Sequence, residues 1–387
     1  MIKVIYFDNA ATSWPKPPQM LEAVCRFNDE IGANSGRSGY QRSVQSARII
    51  YETRQRLADL FNLRDPLRVV FTLNVTESIN LALNGLLKPG DQVITTSMEH
   101  NAVMRPLRYL ESQGVELSII PCAPTGELDP NDIKKLFKLN SKLVVLNHAS
   151  NVVGTILPVR EIGRIVRENG LLMLIDAAQT AGVCPLDMEA DFIDLLAFTG
   201  HKSLYGPMGT GGLLIGDRVD AGKLHPLKRG GTGSHSEFEN QPDFLPDKYE
   251  SGTLNVLGLA GLNAALEWIQ SIGIEAIRSH EKTLCQQLIN GLQRILGIKV
   301  FGLKDSNLQT AVVSFTIEGF DNARVGELLD EEYGVLCRIG LHCAPSAHKT
   351  IRTFPNGTIR FSLGYFNNKG QIDSVLMYLR KITERKM

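Results

Sequence analysis

Phe192-Ile193-Asp194-Leu195-Leu196-Ala197-Phe198-Thr199-Gly200-His201-Lys202-Ser203-Leu204-Tyr205-Gly206-Pro207 decides how this chain is read. An apolar run of strand length ends in a polar turn that carries a lysine. Glycines follow at Gly206, Gly209, Gly211 and Gly212. Such a turn, walled by glycine-rich backbone, presents a reactive amine to an aldehyde. Upstream, Leu171-Leu172-Met173-Leu174-Ile175 runs into Asp176-Ala177-Ala178-Gln179. Taken singly, Lys202 reads as a snorkelling surface lysine and Asp176 as a helix cap. In this order and context the pair suits a pyridoxal phosphate site. The lysine forms the Schiff base, and the carboxylate pairs with the protonated pyridine nitrogen.

Working outward, the same grammar repeats. Strand-like apolar runs occur at 68–72, 92–96, 115–120, 143–147, 171–176, 191–198 and 211–215. Helical patterns lie between the early ones, at 77–87, 102–113, 131–139 and 158–168. This alternation predicts an α/β fold, a mostly parallel sheet with helices on both faces. Ligands of such sheets sit at the carboxyl ends of the strands, where Thr76, His100, Asn151, Asp176 and Lys202 all fall. Residues 228–256 read as a long functional loop, including Arg229-Gly230-Gly231-Thr232-Gly233-Ser234-His235-Ser236. Helices at 257–270 and 275–292, strands at 310–316 and 359–361 and a last helix at 371–381 predict a smaller α+β domain. The expected division is 15–256 for the large domain, with 1–14 and 257–387 forming the small one.

Composition narrows the class. With 387 residues, 43% hydrophobic and 21% charged, the chain is long enough for two cores and ordinary for a globular protein. Its formal net charge of zero gives no pull toward nucleic acid or a membrane surface. No apolar run approaches the roughly 18 residues of a membrane span, and Met1–Asp8 reads as a strand rather than a leader. Six scattered cysteines without a Cys-x-x-Cys pair exclude a zinc ribbon and a disulfide framework, so no metal is expected. These features imply a cytosolic chain.

The other strand ends carry chemistry of their own. Phe71-Thr72-Leu73-Asn74-Val75-Thr76-Glu77 runs from strand to helix with Thr76 read as the N-cap. Such an end binds a dianion, though a plain cap is the simpler reading of this segment alone. No glycine-rich nucleotide fingerprint follows an early strand. His100 suits stacking on a planar ring and moving protons; a capping histidine is the alternative. Asn151 suits a phenolic ring oxygen or a simple turn. Gln179 is close enough in sequence to Asp176 to reach the same ring. Cys343 lies in a loop, flanked by His342 and near Arg338, both able to lower a thiol pKa. Cys337 reads as a packing residue.

Six segments taken together carry a resemblance. Asp8-Asn9-Ala10-Ala11-Thr12, Glu99-His100, Ser150-Asn151-Val152-Val153-Gly154, Asp176-Ala177-Ala178-Gln179, Gly200-His201-Lys202 and Arg338-Ile339-Gly340-Leu341-His342-Cys343-Ala344 resemble the class V aminotransferase family. The last is similar to its branch of cysteine desulfurases and selenocysteine lyases. The resemblance spans essentially the whole chain. It implies fold-type-I pyridoxal phosphate architecture: a seven-stranded large domain, a small domain completed by the N-terminal segment, and a homodimer. Lys202 would carry the cofactor, Asp176 pair with the ring nitrogen and His100 stack on the ring. Asn151 and Gln179 would address ring-oxygen and substrate groups. Val75, Thr76, Thr199 and His201 would hold phosphate, and Thr253 would reach the phosphate across the dimer. Arg360 would clamp the substrate carboxylate in two places. Asn9, Ala10, Asn151 and Arg338 would contact substrate, and Cys343 would be the nucleophile. Three segments depart from the pattern, one of them the 229–236 glycine loop, which differs from that of the better-known desulfurases. The phosphate turn Leu73-Asn74-Val75-Thr76 is poor in glycine, and Gly36 and Tyr40 stand where histidines are expected.

The resemblance implies removal of sulfur from L-cysteine, giving L-alanine and a persulfide on Cys343. A thiol or a sulfur-acceptor protein would then collect the sulfur. L-selenocysteine is an alternative substrate. A transaminase or epimerase with a structural Cys343 keeps the cofactor and changes the reaction. A non-catalytic partner retaining the fold is the alternative from another class.

Overall fold

The computed structural model describes residues 4–35, 39–235 and 237–385. Of the segments singled out above, Met1–Lys3, Gly36–Ser38 and Ser236 lie outside the described residues. The chain opens with β1 (Ile5–Tyr6), α1 (Pro18–Arg26) and α2 (Gln41–Leu60). The alternation follows as β2 (Val69–Thr72), α3 (Val75–Leu86), β3 (Gln92–Thr96), α4 (Asn101–Ser112), β4 (Glu116–Ile120), β5 (Ser141–Asn147), α5 (Val159–Glu168), β6 (Leu172–Asp176), β7 (Leu195–Thr199) and β8 (Gly211–Ile215). Beyond the long loop come α6 (Val256–Ile272), α7 (Ile274–Gln293), β9 (Ile298–Val300), β10 (Val312–Ile317), α8 (Asn322–Tyr333), β11 (Val335–Leu336), β12 (Arg338–Gly340), α9 (Pro345–Thr350), β13 (Thr358–Ser362) and α10 (Lys369–Glu384).

The large sheet has seven strands in the order β2-β8-β7-β6-β5-β3-β4. β3 to β7 pair in parallel, and β8 runs antiparallel between β2 and β7. Its central strands are buried on both faces, which is why they read as unbroken apolar runs rather than alternating ones. Two apolar clusters cover the faces, one with α5 and α6, the other with α3 and α4. The register sets Asn147 beside Asp176 and Asp176 beside Ala197, so these chain positions meet at one edge of the sheet.

A second sheet, β12-β13-β10-β9, is antiparallel and packs on α7, α8 and α10 around its own core. The chain's first strand joins this unit: β1 pairs in parallel with β11, and Asp8 bridges Ser362. α6 packs on α1 and α2 and contributes to the core of the large unit. The sequence division at 256/257 therefore falls at the start of a helix that belongs by contact to the large sheet's layer.

Two local expectations change. The helix expected over 131–139 is a short 3-10 stretch, Pro130–Leu136, because Ile133 is its one buried anchor. The N-cap of α3 is Asn74, not Thr76: the Asn74 side chain accepts from the Glu77 N–H at 3.0 Å, and Thr76 lies inside the first turn. No helix among the described residues is long and apolar enough to cross a membrane.

Candidate active site

β6 delivers Asp176 to the carboxyl edge of the sheet, 5% exposed. One of its oxygens accepts from the Ala178 N–H at 2.9 Å, so the local capping role and the site role coexist. β7 delivers Thr199, and the chain then turns through Gly200-His201-Lys202. A Cβ on Gly200 would sit 2.1 Å from Thr210 Oγ1, so only glycine lets this turn close against 207–210. Burial lowers the Lys202 pKa to about 8, with Asp176 pulling against that drop. Burial likewise raises the Asp176 carboxyl, opposed by the Ala178 N–H and by Lys202. The two groups thus share one dry enclosure.

His100 is the N-cap of α4, its Nδ1 accepting from the Ala102 N–H at 3.0 Å. Burial, then Lys202 and Arg338, hold its pKa at about 4. It is therefore neutral at pH 7 with its proton on Nε2. Val75, His100, Asn147, Asn151, Asp176, Gln179 and Lys202 line one cavity. Among the described residues Asn151 Oδ1, Asn147 Oδ1 and His201 Nδ1 are buried without a partner. Such atoms are costly unless something else satisfies them. Of the first turn of α3, Val75 lines this cavity, whereas Thr76 is exposed and does not. β8 passes directly under the α3 cap: a Cβ on Gly211 would lie 2.6 Å from the Asn74 Cα.

Arg360, on β13, is 1% exposed. Nη2 pairs with Asp8 at 2.7 Å and Nη1 donates to the Asn151 carbonyl at 3.0 Å. Its Nε is buried without a partner among the described residues. Asn9 donates to the Ser362 carbonyl at 3.0 Å, and the Ala10 carbonyl accepts from Gln179 Nε2 at 3.1 Å. This uses one of the two Gln179 amide hydrogens, as the His342 carbonyl uses one of Asn151's. Thr199 is buried, its hydroxyl 3.5 Å from the Thr210 carbonyl.

Cys343 is exposed, yet its backbone is held. Its carbonyl accepts from the Asn101 N–H at 2.8 Å, and the preceding carbonyl of His342 accepts from Asn151 Nδ2 at 2.7 Å. Both residues are left-handed, at φ 47° and 57°. Of its two expected activators only Arg338 reaches the sulfur, at 3.7 Å. His342 turns inward, Nε2 lying 3.0 Å from Thr358 Oγ1, because the left-handed pair sends neighbouring side chains apart.

Thr253 stands away from this group in the same chain. It is exposed and lines a different cavity of about 520 Å³ with Arg54, Thr232 and Glu250. Sequence reasoning missed Asp8 as the partner of Arg360, although it lies in a quoted motif, and missed Asn147, which the strand-end rule applied to β5 would have found. It also missed Ser13 and Lys16, for which the sequence carries no local signal. Among the described residues no cluster of three histidines, cysteines or acids could hold a metal ion.

The aminotransferase class-V family model matches residues 5–375. This chain belongs to that family. It is 35% identical over 372 residues to a "Probable cysteine desulfurase" of Methanothermobacter thermautotrophicus, covering 95% of this chain and 92% of the relative. A protein of the same description from Pyrococcus abyssi is 34% identical, covering 99% and 95%. Among solved structures, the apo cysteine desulfurase of Thermococcus onnurineus superposes with a TM-score of 0.93 at 32% identity, covering 99% of this chain and 95% of that one. The cysteine desulfurase CsdA of Escherichia coli gives 0.87 at 28% identity, covering 98% and 94%. The fold is accordingly the fold-type-I architecture that the class V resemblance implied.

Proposed function

We propose that this protein is a pyridoxal-phosphate-dependent cysteine desulfurase that converts L-cysteine to L-alanine and leaves the sulfur as a persulfide on Cys343. The observation that carries this reading is a connection. The cavity holding Lys202 and Asp176 shares Asn151 and the start of α4 with the loop that fixes Cys343. The family relationship and the descriptions of the relatives support it.

The residues present fit the cofactor. His201 Nδ1 and the first turn of α3 are suited to a phosphate, Asp176 to a protonated ring nitrogen, and Asn151 and His100 to the ring's oxygen and face. When bound, the group supplies an electron sink for the substrate's α-carbon. The chain supplies the rest. Lys202, with its pKa near 8, offers a neutral amine that can hold an aldehyde and later take the α-proton. Arg360, stiffened by Asp8 and Asn151, orients the substrate carboxylate. The Cys343 thiolate forms a bond to the substrate sulfur as the substrate's carbon–sulfur bond breaks, and the carbon skeleton leaves as alanine after protonation. The proton that Lys202 takes from the α-carbon is the one available to return to that skeleton, while His100, neutral with its proton on Nε2, would act as a hydrogen-bond donor there.

A thiol or an acceptor protein then takes the sulfur from the exposed Cys343. The reading includes a homodimer in which Thr253 reaches the partner's phosphate. Tyr51, exposed on α2, lines the same cavity as Thr253 and is available to such a contact. It also includes a small unit whose second boundary lies at Gly273, between α6 and α7. Six free thiols among the described residues support a reducing, cytosolic setting.

The test is direct. Protein loaded with pyridoxal phosphate and given L-cysteine plus a thiol reductant should yield equal alanine and sulfide. Without reductant, mass spectrometry should find one extra sulfur on the Cys343 peptide. Cys343→Ser should bind the cofactor and release no sulfur. Undiminished sulfur release from Cys343→Ser would overturn the persulfide route.

A further inference from the structure

The segment from Asp8 to Lys16 crosses from the small unit to the large one and touches three site residues on its way. Asp8 pairs with Arg360, the Ala10 carbonyl takes the Gln179 amide, and residues 12 to 16 close on the Lys202 turn. At that turn the contacts converge on two carbonyls. The His201 carbonyl accepts from the Ser13 N–H at 3.1 Å, Thr12 Oγ1 at 3.1 Å and Lys16 Nζ at 2.6 Å. The Lys202 carbonyl accepts from Ser13 Oγ at 2.8 Å and from the Tyr205 N–H at 2.8 Å. Lys16 Nζ also donates to Ser13 Oγ at 2.8 Å, so its ammonium backs both carbonyls.

These are the peptide groups on either side of the Lys202 Cα. A peptide unit is planar, so fixing both oxygens fixes both planes and with them the direction of the Cα–Cβ bond. Only side-chain torsions remain to the buried amine. Among the described residues Lys16 is the one charged donor to either carbonyl, and a charge-assisted bond is about twice as strong as a neutral one. Its ammonium is half-buried, and burial lowers its pKa to about 8, so the charge is held there against a desolvation cost. Holding a charge at such a cost, 185 residues away in sequence, marks a placed group rather than a stray surface lysine.

We propose that Lys16 is a positioning residue: through the His201 carbonyl and Ser13 it fixes the backbone that aims Lys202 into the cavity. This rests on Lys202 as the cofactor lysine under the function proposed above. The residue does not touch substrate or cofactor in this role.

The experiment compares wild type, Lys16→Met and Lys16→Arg. In apoprotein, amide hydrogen exchange at Tyr205 reads the Lys202 carbonyl, because that amide donates to it. Lys16→Met should speed this exchange about tenfold while peptides of the small-unit sheet stay unchanged, the amount that loss of one charge-assisted bond allows. In loaded protein kcat for sulfur release should fall roughly tenfold with KM within about twofold, since binding groups are untouched. Lys16→Arg, which keeps the charge and reach, should restore most of both. Wild-type exchange at Tyr205 in Lys16→Met would overturn the proposal, as would a uniform loss of protection that Lys16→Arg does not repair. Wild-type protein inactive on L-cysteine would sink the functional reading alone, because the exchange comparison needs no turnover.

Discussion

The amine of Lys202 should titrate far below an ordinary lysine, and the size of the effect follows from its burial. Moving its pKa from 10.5 to about 8 corresponds to roughly 3 kcal/mol against the charged form. At pH 7 a lysine at 10.5 is neutral in fewer than about one molecule in a thousand, whereas at about 8 roughly one in ten is neutral. That difference is what makes the side chain useful toward an aldehyde. The assay is competitive acetylation of apoprotein between pH 6 and 11, followed by mass spectrometry of the Lys202 peptide. Burial slows the reagent at every pH, so the midpoint is read rather than the rate, with exposed lysines in the same sample as reference. The midpoint should fall near 8. Asp176→Asn should lower it further, because Asp176 is the largest group holding the proton on. The same proton links to stability: between pH 8 and 10.5 the unfolded chain holds it and the folded chain does not. Apoprotein should therefore gain stability as pH rises through that window, and Lys202→Met should lose its share of that gain while Lys16 keeps its own. A Lys202 midpoint at 10 or above, or a rise on Asp176→Asn, would mean that burial does not set the charge of this amine.

Two further substitutions test the frame around the site. Glu250 is buried against Arg54 at 2.5 Å and accepts from the Phe71 N–H at 2.6 Å, while Arg54 bonds the Val69 carbonyl; the pair thus caps the open edge of β2 in place of another strand. Glu250→Ala should cost roughly 3–5 kcal/mol in denaturant unfolding by stranding a buried guanidinium, and Glu250→Gln less, since its amide oxygen can still accept from Phe71. Asn74→Ala should cost about 1 kcal/mol as a lost N-cap and weaken pyridoxal phosphate binding by equilibrium dialysis, whereas Thr76→Ala should leave the fold's stability nearly unchanged.

The strand ends were legible because each is marked twice, by an apolar run that stops and by a polar residue that follows. Asp176, Lys202, His100 and Asn151 were found that way. The cap of α3 was not, because Asn74 and Thr76 are both good caps two residues apart. What separates them is tertiary: the Glu77 carboxylate returns to the Leu73 N–H at 2.7 Å, and β8 brings Gly211 under Asn74. The direction of His342 was equally hidden, since a left-handed pair of non-glycine residues leaves no mark in composition. Contacts such as Asp8 with Arg360, 352 residues apart, depend on a two-residue strand too short to show a period. Local pattern therefore located the residues that share the cavity, and long-range pairing, which local pattern does not carry, decided how each is aimed.

That separation matters most for Cys343. A left-handed conformation costs an L-residue of this kind about 1–2 kcal/mol, and here two occur in sequence. The structure holds them with a backbone bond to α4, an amide bond from Asn151 and a guanidinium contact at the sulfur. The return is orientation: His342 is driven inward to Thr358 while the next side chain faces out. Lys202 is fixed by the same logic, with both flanking carbonyls tied down. Under the proposed function, with Cys343 and Lys202 each set by their backbones, the free amino acid would be the component that adjusts. Arg360 is stiffened at two of its nitrogens, which in that reading would limit the adjustment to one pose. Under the same proposal, a sulfur held on the exposed Cys343 would be presented at the surface, where an acceptor would come to it.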